Sequence, residues 1–288
     1  MAGQRTMQKK LNTIIGTLVL RKFIHEIDIF YTQKKHDGYM RAKNCDKSYD
    51  FIVTVGGDGT INEVISGIIE GKHNIPIVIL AAGTVNDFAK SLQIPQAADA
   101  ICDMIINFKT MACDVGKINQ QYFINVAAGG MFSDVSFLVS KEEKKHLGPL
   151  AYYINGLINL PSQLRTNIPI QIKIDDQEVI EEDIMLFLIS NTSRVGGFEE
   201  ITPHANIQDG LLDLLIIKKC SLTDLVALSK DYFLRRHIAS PFLLYKQARK
   251  IELSCVKNTI TVDIDGEKGQ ELPAVIENIK SAITIVIP

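Results

Sequence analysis

The sequence predicts two domains, an α/β domain over residues 1–110 and a β-sandwich domain over residues 111–288, with the last strand a candidate to return to the first domain. Three observations predict this. The first third repeats a strand–loop–helix pattern, the signature of a parallel sheet with helices on its faces. Its strands run straight into glycine-bearing turns. After about Lys109 short β-like runs dominate instead.

The elements follow in order. Residues 8–24 carry Leu11, Ile14, Ile15, Leu18, Val19 and Phe23 near helical spacing. Residues 27–31 alternate like a strand, and residues 49–55, rich in β-branched and aromatic side chains, read as a buried one. A helix is expected over residues 61–70, where Thr60 and Glu63 have the spacing of a capping box. Residues 75–80 form another strand, residues 81–84 a turn, and a helix starts near Asn86. In the second half, strands are expected over residues 112–118, 121–127, 168–174, 178–189, 211–218, 250–254, 259–264 and 282–287. Helices are expected at 151–160 and 222–233, the latter capped by Ser221 and Asp224.

Composition excludes several classes. The 288 residues are 46% apolar and 22% charged, enough to bury a sizeable core, and the net charge of −2 with no basic stripe argues against a nucleic-acid partner. Five cysteines without a Cys-x-x-Cys pair, and six scattered histidines, fit neither a disulfide framework nor a zinc site and point to a reducing cytoplasm. No apolar run reaches the roughly 20 residues that cross a bilayer. Arg235-Arg236-His237 and Lys246/Arg249/Lys250 are local basic spots, read either as solvated surface or as weak attraction to an anionic membrane.

The chemistry concentrates in a few turns. Gly56-Gly57-Asp58-Gly59-Thr60 joins a strand to a helix, where backbone N–H groups and the helix dipole suit an anion and glycines admit phosphate closely. Asp58 would repel phosphate unless Mg²⁺ or a hydroxyl intervenes; the plain alternative is a Gly-Asp-Gly turn. Gly83-Thr84-Val85-Asn86-Asp87-Phe88 repeats the arrangement, and two such loops form a crevice at the strand ends, where open α/β sheets bind ligands. Asn86 and Asp87 serve equally well as a helix cap. Asp265-Gly266-Glu267 places a carboxylate at a strand end, able to accept a hydroxyl proton, or forms an ordinary hairpin turn. Asn206 to Leu211, with Asp209-Gly210, offers one carboxylate and turn carbonyls to a hard cation, or is again a turn.

Together with Asn62 and Glu63, Asp114-Val115-Gly116, Phe123-Ile124-Asn125, Gly129-Gly130, Gly196-Gly197-Phe198, Pro203 and Ala205, these motifs resemble the diacylglycerol kinase catalytic-domain family, particularly its soluble bacterial members, over nearly the whole chain. The resemblance implies an NAD kinase/diacylglycerol kinase-like fold with ATP in the cleft between the domains. It implies that Gly3, Gly56, Gly57, Asp58, Gly59, Thr60, Asn62, Glu63, Gly83, Thr84 and Asn86 hold the nucleotide and that Thr32 touches it. Asp58, Asp87 and Asp114 match a Mg²⁺ and water network near the phosphates, and Glu267 matches the general base. Asp209, with the carbonyls of Asn206 and Leu211, matches a structural Mg²⁺ site.

The implied reaction moves the γ-phosphate of ATP to the hydroxyl of diacylglycerol, giving phosphatidic acid. The implied protein is cytoplasmic, visits the membrane surface for its lipid, and has a homodimer as a candidate assembly. The segment 148–160, with Leu150, Tyr152, Tyr153, Ile154 and Leu157, lines either an acyl groove or ordinary core. The alternatives are a kinase for phosphatidylglycerol, sphingosine or NAD, or a regulator that has lost catalysis.

Three departures bear on this. The family opens with a β-strand and an Asn-Pro-x-Ser-Gly loop, whereas this chain starts Met1-Ala2-Gly3-Gln4 at the loop's end, which points to a truncated or mis-started sequence and puts nucleotide affinity and sheet completeness at stake. A family proline is Ala81 here, and position 208 is Gln where close relatives often carry Asp.

Overall fold

The computed structural model describes residues 2–131, 167–255 and 259–288. The expected helix at 151–160 and the candidate groove residues at 148–160 lie outside them. The chain divides into two units, Met1–Cys113 with Ser281–Pro288, and Asp114–Lys280.

In the first unit, α1 (Ala2–Leu20) buries Ile14 and Leu18, four residues apart and so on one face. It packs against α5 (Ala98–Asn107), whose apolar face carries Ile101, Met104 and Ile105. Residues 27–31 are not a strand. A strand needs a neighbour for its N–H and C=O groups, and among the described residues this segment joins no ladder. Its Ile27, Ile29 and Tyr31 are exposed. After α2 (Asp37–Lys43), β1 (Ile52–Gly56) leads through α3 (Asp58–Glu70) to the parallel β2 (Ile77–Ala81), in register from Ile52↔Ile77 to Gly56↔Ala81. All of β2 is buried, as a parallel strand covered on both faces should be. From α3, Ile61, Val64, Ile65 and Ile68 enter the core, each worth about 1.5–3 kcal/mol of transfer free energy. α4 (Asp87–Ser91) follows the second glycine turn.

The second unit is antiparallel. It contains β3 (Thr110–Ile118) from Asp114 onward, β4 (Gln121–Phe123), β5 (Val126–Gly130), β6 (Ile168–Ile174), β7 (Glu178–Ser190), β8 (Leu212–Lys218), β9 (Leu243–Ala248), β10 (Lys250–Cys255), β11 (Thr261–Ile264), β12 (Glu267–Glu271) and the first part of β13 (Ala274–Val286). The long β7 is its spine: the first half pairs with β6, and the second half lies between β5 and β8. β10 joins β6 to β13, while Ile285 near the end of β13 pairs with Ile77 of the first unit's β2. The expected single strand at 121–127 is broken at Ile124 and Asn125, whose N–H groups leave the ladder for the carboxylate of Asp265. The helix α6 (Leu222–Phe233) starts with the expected capping box: the Asp224 N–H donates to Ser221 Oγ (3.2 Å) and the Ser221 N–H to Asp224 Oδ2 (3.0 Å). Its Leu225 and Leu228 pack into the sheet core.

Candidate active site

The β1–β2 register positions the candidate residues of the first unit. Because Gly56 pairs with Ala81, the turns that follow both strands emerge side by side. They touch: a Cβ on Gly83 would lie 2.6 Å from Gly57 Cα and 2.7 Å from Asn86 Oδ1, so neither turn tolerates a side chain there. Asn86 closes the second turn on itself, its Oδ1 accepting from the Gly83 N–H (2.8 Å) and its Nδ2 donating to the Gly83 carbonyl (2.9 Å). It does so at φ 55°, a left-handed conformation that asparagine tolerates well.

Asp58 bridges the two loops. Its carboxylate accepts from the N–H groups of Asp87 and Phe88, both at 3.2 Å, and so caps α4 from the first turn of α3. Asp87 itself is buried. The helix α3 starts at Asp58, three residues before the expected position, with Gly57 as its N-cap, so Thr60 is not the cap and no capping box forms with Glu63. The Glu63 carboxylate instead accepts from His36 N–H (2.8 Å) and Gly38 N–H (3.2 Å) at the start of α2. Asn62 accepts from Ser66 Oγ through Oδ1. Thr32 and Thr84 are exposed, and Gly3 lies in the first turn of α1.

The second unit carries candidate residues of its own. Asp265-Gly266 is the two-residue turn of the β11–β12 hairpin, with φ 52° and 87°, the doubly positive pattern that favours Asp-Gly. Asp265 does more than turn the chain. Its Oδ2 accepts from Ile124 N–H (2.7 Å) and its Oδ1 from Asn125 and Val126 N–H (both 2.9 Å). Glu267, opposite Ile264 at the start of β12, is left exposed beside this rigid turn.

A chain of buried polar contacts leads from there to the Asp209 turn. Asn191 Nδ2 donates to the carbonyls of Ile124 (3.1 Å) and Asp114 (3.0 Å). The fully buried Asp114 accepts through Oδ2 from Gly210 N–H at 2.7 Å, and its N–H donates to the Ile207 carbonyl. Asp114 therefore clamps the turn that bears Asp209, while Asp58 and Asp87 meet each other in the first unit. Asp209 accepts from Leu211 N–H (2.8 Å), and the Leu211 carbonyl accepts from Asn278 Nδ2 (3.0 Å). No cluster of three acidic, histidine or cysteine side chains suited to a metal occurs among the described residues. The donor set of Asp209 with two main-chain carbonyls is all oxygen, and that chemistry fits a hard cation completed by water.

Asp213, two residues past Leu211, escapes sequence reasoning. It is buried, it accepts hydrogen bonds from Tyr245 Oη and Gln247 Nε2, and its Oδ2 has no partner. Burial pushes its carboxyl up to about 6, against the pull of the two hydrogen bonds, and burial likewise raises the Tyr245 phenol. Its signal in the sequence is an aspartate inside the apolar run 211–218.

Known proteins resemble this chain. Residues 1–118 match the diacylglycerol kinase catalytic domain, and residues 126–287 match the YegS C-terminal NAD kinase beta sandwich-like domain. A diacylglycerol kinase of Staphylococcus carnosus (strain TM300) is 34% identical over 288 residues, covering 100% of this chain and 92% of that protein. One from Bacillus subtilis (strain 168) is 35% identical over 244 residues, 84% of this chain and 79% of that protein. A crystal structure of a diacylglycerol kinase from Bacillus anthracis str. Sterne superposes with a TM-score of 0.77 at 26% identity, covering 98% of this chain and 92% of that one. Two glycine turns clasped by an aspartate, a braced Asp-Gly-Glu hairpin and these matches agree: the chain belongs to the diacylglycerol kinase catalytic-domain family of phosphotransferases, kinases that act on an alcohol acceptor.

Proposed function

We propose that the protein transfers the γ-phosphate of ATP to the free hydroxyl of diacylglycerol, giving phosphatidic acid. The observation that carries this is the Asp58 clasp. It aligns two glycine turns in one unit, beside the N–H groups that open the 13-residue helix α3, and an anion is stabilised there by both the free N–H groups and the dipole. The relatives at 34% and 35% identity carry the substrate's name. No helix among the described residues is long and apolar enough to cross a membrane, so the reading includes transient docking at the bilayer that holds the lipid.

Phosphoryl transfer asks the protein mainly for positioning and charge neutralisation. Residues 56–60, with Asn62, Thr84 and Asn86, line the nucleotide's phosphates. Glu63 acts through the segment it caps, positioning the neighbourhood of Thr32. Glu267 takes the proton of the lipid hydroxyl as the oxygen attacks the γ-phosphorus and ADP leaves. Mg²⁺ bound with ATP would neutralise the phosphate charge, with Asp58 and Asp87 as the nearby carboxylates. Asp209 and the carbonyls of Asn206 and Leu211 would hold a second, structural Mg²⁺. Labelled ATP offered to a panel of hydroxyl lipids tests the reading. Preferred turnover of diacylglycerol supports it, and preferred turnover of phosphatidylglycerol or sphingosine replaces it.

Two variants probe the parts. Asp58→Ala removes the acceptor for two N–H groups of α4, costing about 1 kcal/mol of stability. Because a displacement of the second glycine turn misplaces the phosphates, kcat/KM should fall by about 10². Turnover near that of the parent would place the nucleotide elsewhere. Asp209→Asn keeps the acceptor for Leu211 N–H but loses the charge. The parent should gain thermal stability on adding Mg²⁺ by mass action, and the variant should gain none. An equal gain in both proteins counts against the site.

A further inference from the structure

The helix α6 has two apolar faces, and among the described residues only one of them packs into the core. Leu225 and Leu228 pack into the sheet. Leu222, Val226 and Phe233, spaced four and seven residues apart, fall on a second stripe, and Leu234 extends it past the helix end. These four are 40%, 57%, 72% and 50% exposed, gathered at one helix and its end.

Charge frames the stripe. The stretch from Lys218 to His237 carries Lys218, Lys219, Lys230, Arg235 and Arg236 against Asp224 and Asp231, a net of +3 in a chain of net −2. Asp224 is engaged in the helix cap. The ion pairs Arg235–Glu200 (2.8 Å), Arg236–Asp231 (3.6 Å) and Lys218–Glu182 (3.4 Å) all lie at the surface. Exposed pairs of this kind contribute little and exchange readily for another anion.

We propose that this edge of α6 docks on an anionic bilayer surface, with Leu222, Val226, Phe233 and Leu234 entering the headgroup–acyl boundary and Arg235 and Arg236 contacting lipid phosphates. The proposal rests on the reading that the acceptor is a bilayer lipid. A helix with an apolar stripe edged by Arg and Lys, aromatic residue included, is what lies flat in that boundary. The positive charge of the segment selects an anionic lipid surface over a neutral one, and it repels the same edge of a second copy of this chain.

Docking there would reach the site through the fold. Tyr232, next to Phe233, stacks edge-on against Phe198 (5.7 Å between ring centroids) and donates to the Glu199 carbonyl (2.7 Å), tying the helix end to the Gly196-Gly197 loop. Leu228 shares a packing cluster with Val126, whose N–H is held by Asp265.

The test is co-sedimentation of the full chain, without ATP or substrate, with vesicles of phosphatidylcholine alone or mixed with phosphatidylglycerol. The parent should favour the mixed vesicles. Phe233→Ala should weaken binding to them by about tenfold, from the apolar area lost. The pair Arg235→Ala and Arg236→Ala should weaken binding to the mixed vesicles by about tenfold at low salt, and should leave the weak binding to phosphatidylcholine unchanged. Both variants should turn over a dispersed short-chain diacylglycerol like the parent. Failure of the parent on that short-chain substrate would sink the lipid-kinase reading, whereas vesicle binding would still report on the docking face. Parental vesicle binding by both variants overturns the proposal. So does a parent that ignores vesicles, or a lipid-free dimer that Phe233→Ala dissociates.

Discussion

Glu267→Gln is expected to lower kcat by at least about 10² while leaving ATP affinity near that of the parent. The substitution keeps the size and hydrogen-bonding reach of the side chain and removes only its capacity to take a proton. The hairpin is set by Asp265 and Gly266 and by the Ile264↔Glu267 pairing of the main chain, which the substitution leaves in place. The glycine turns proposed to hold the nucleotide, built around Gly57, Gly83, Asn86 and Asp58, belong to the other unit of the chain and are untouched. A fall confined to kcat identifies an interaction used only as the reaction proceeds. Measuring ATP affinity and lipid phosphorylation on the same preparation checks it. Intact ATP binding with activity down less than about tenfold excludes Glu267 as the base.

Asp265→Ala should have the largest effect on stability. The parent carboxylate accepts three main-chain N–H groups at 2.7–2.9 Å, from residues 139 to 141 positions away. Each N–H left without a partner in a part-buried site costs about 1–3 kcal/mol, and alanine at positive φ adds about 1 kcal/mol. The total is at least about 4 kcal/mol, a large share of the 5–15 kcal/mol that typically separates folded from unfolded chains. Asp265→Asn supplies one carbonyl oxygen, tolerates the left-handed turn, and should fall between the two. Urea unfolding of the three proteins gives the order parent, Asn, Ala. Equal midpoints for parent and Ala variant would mean that the turn is held by its main chain alone. Activity should fall with stability in this series, because Glu267 loses its rigid support.

The two substitutions together separate the two readings of Asp265-Gly266-Glu267 that the sequence leaves open. It is a hairpin turn, with the positive φ values that Asp-Gly favours, and the same turn fixes a network of buried main-chain donors. Turn chemistry is written in two residues and is legible. The partners of the carboxylate are not, because they lie on the break between β4 and β5, which exists only once β5 has paired with β11.

The same division runs through the chain. Apolar spacing in α1 and α3, the strand β1, the buried run of β2, the Ser221–Asp224 cap and the strands β6, β7 and β8 depend on windows of a few residues, so the sequence by itself determined them, together with the glycine turns and the family they identify. That β1, read as buried, buries only Thr54 and leaves Val53 exposed was decided by the tertiary packing. Where the expectation failed, a partner from elsewhere decided. Residues 27–31 alternate like a strand but have no described neighbour to pair with, and Glu63 gave its carboxylate to α2 in place of its own helix. Asp114, matched to a Mg²⁺ and water network by resemblance, accepts instead from Gly210, 96 positions away, and Asp213 is carried inside by β8. Local propensity and turn geometry act over short stretches of backbone. Which carboxylate meets which distant N–H follows from strand register and packing, and those free energies come into being only when the whole sheet has formed.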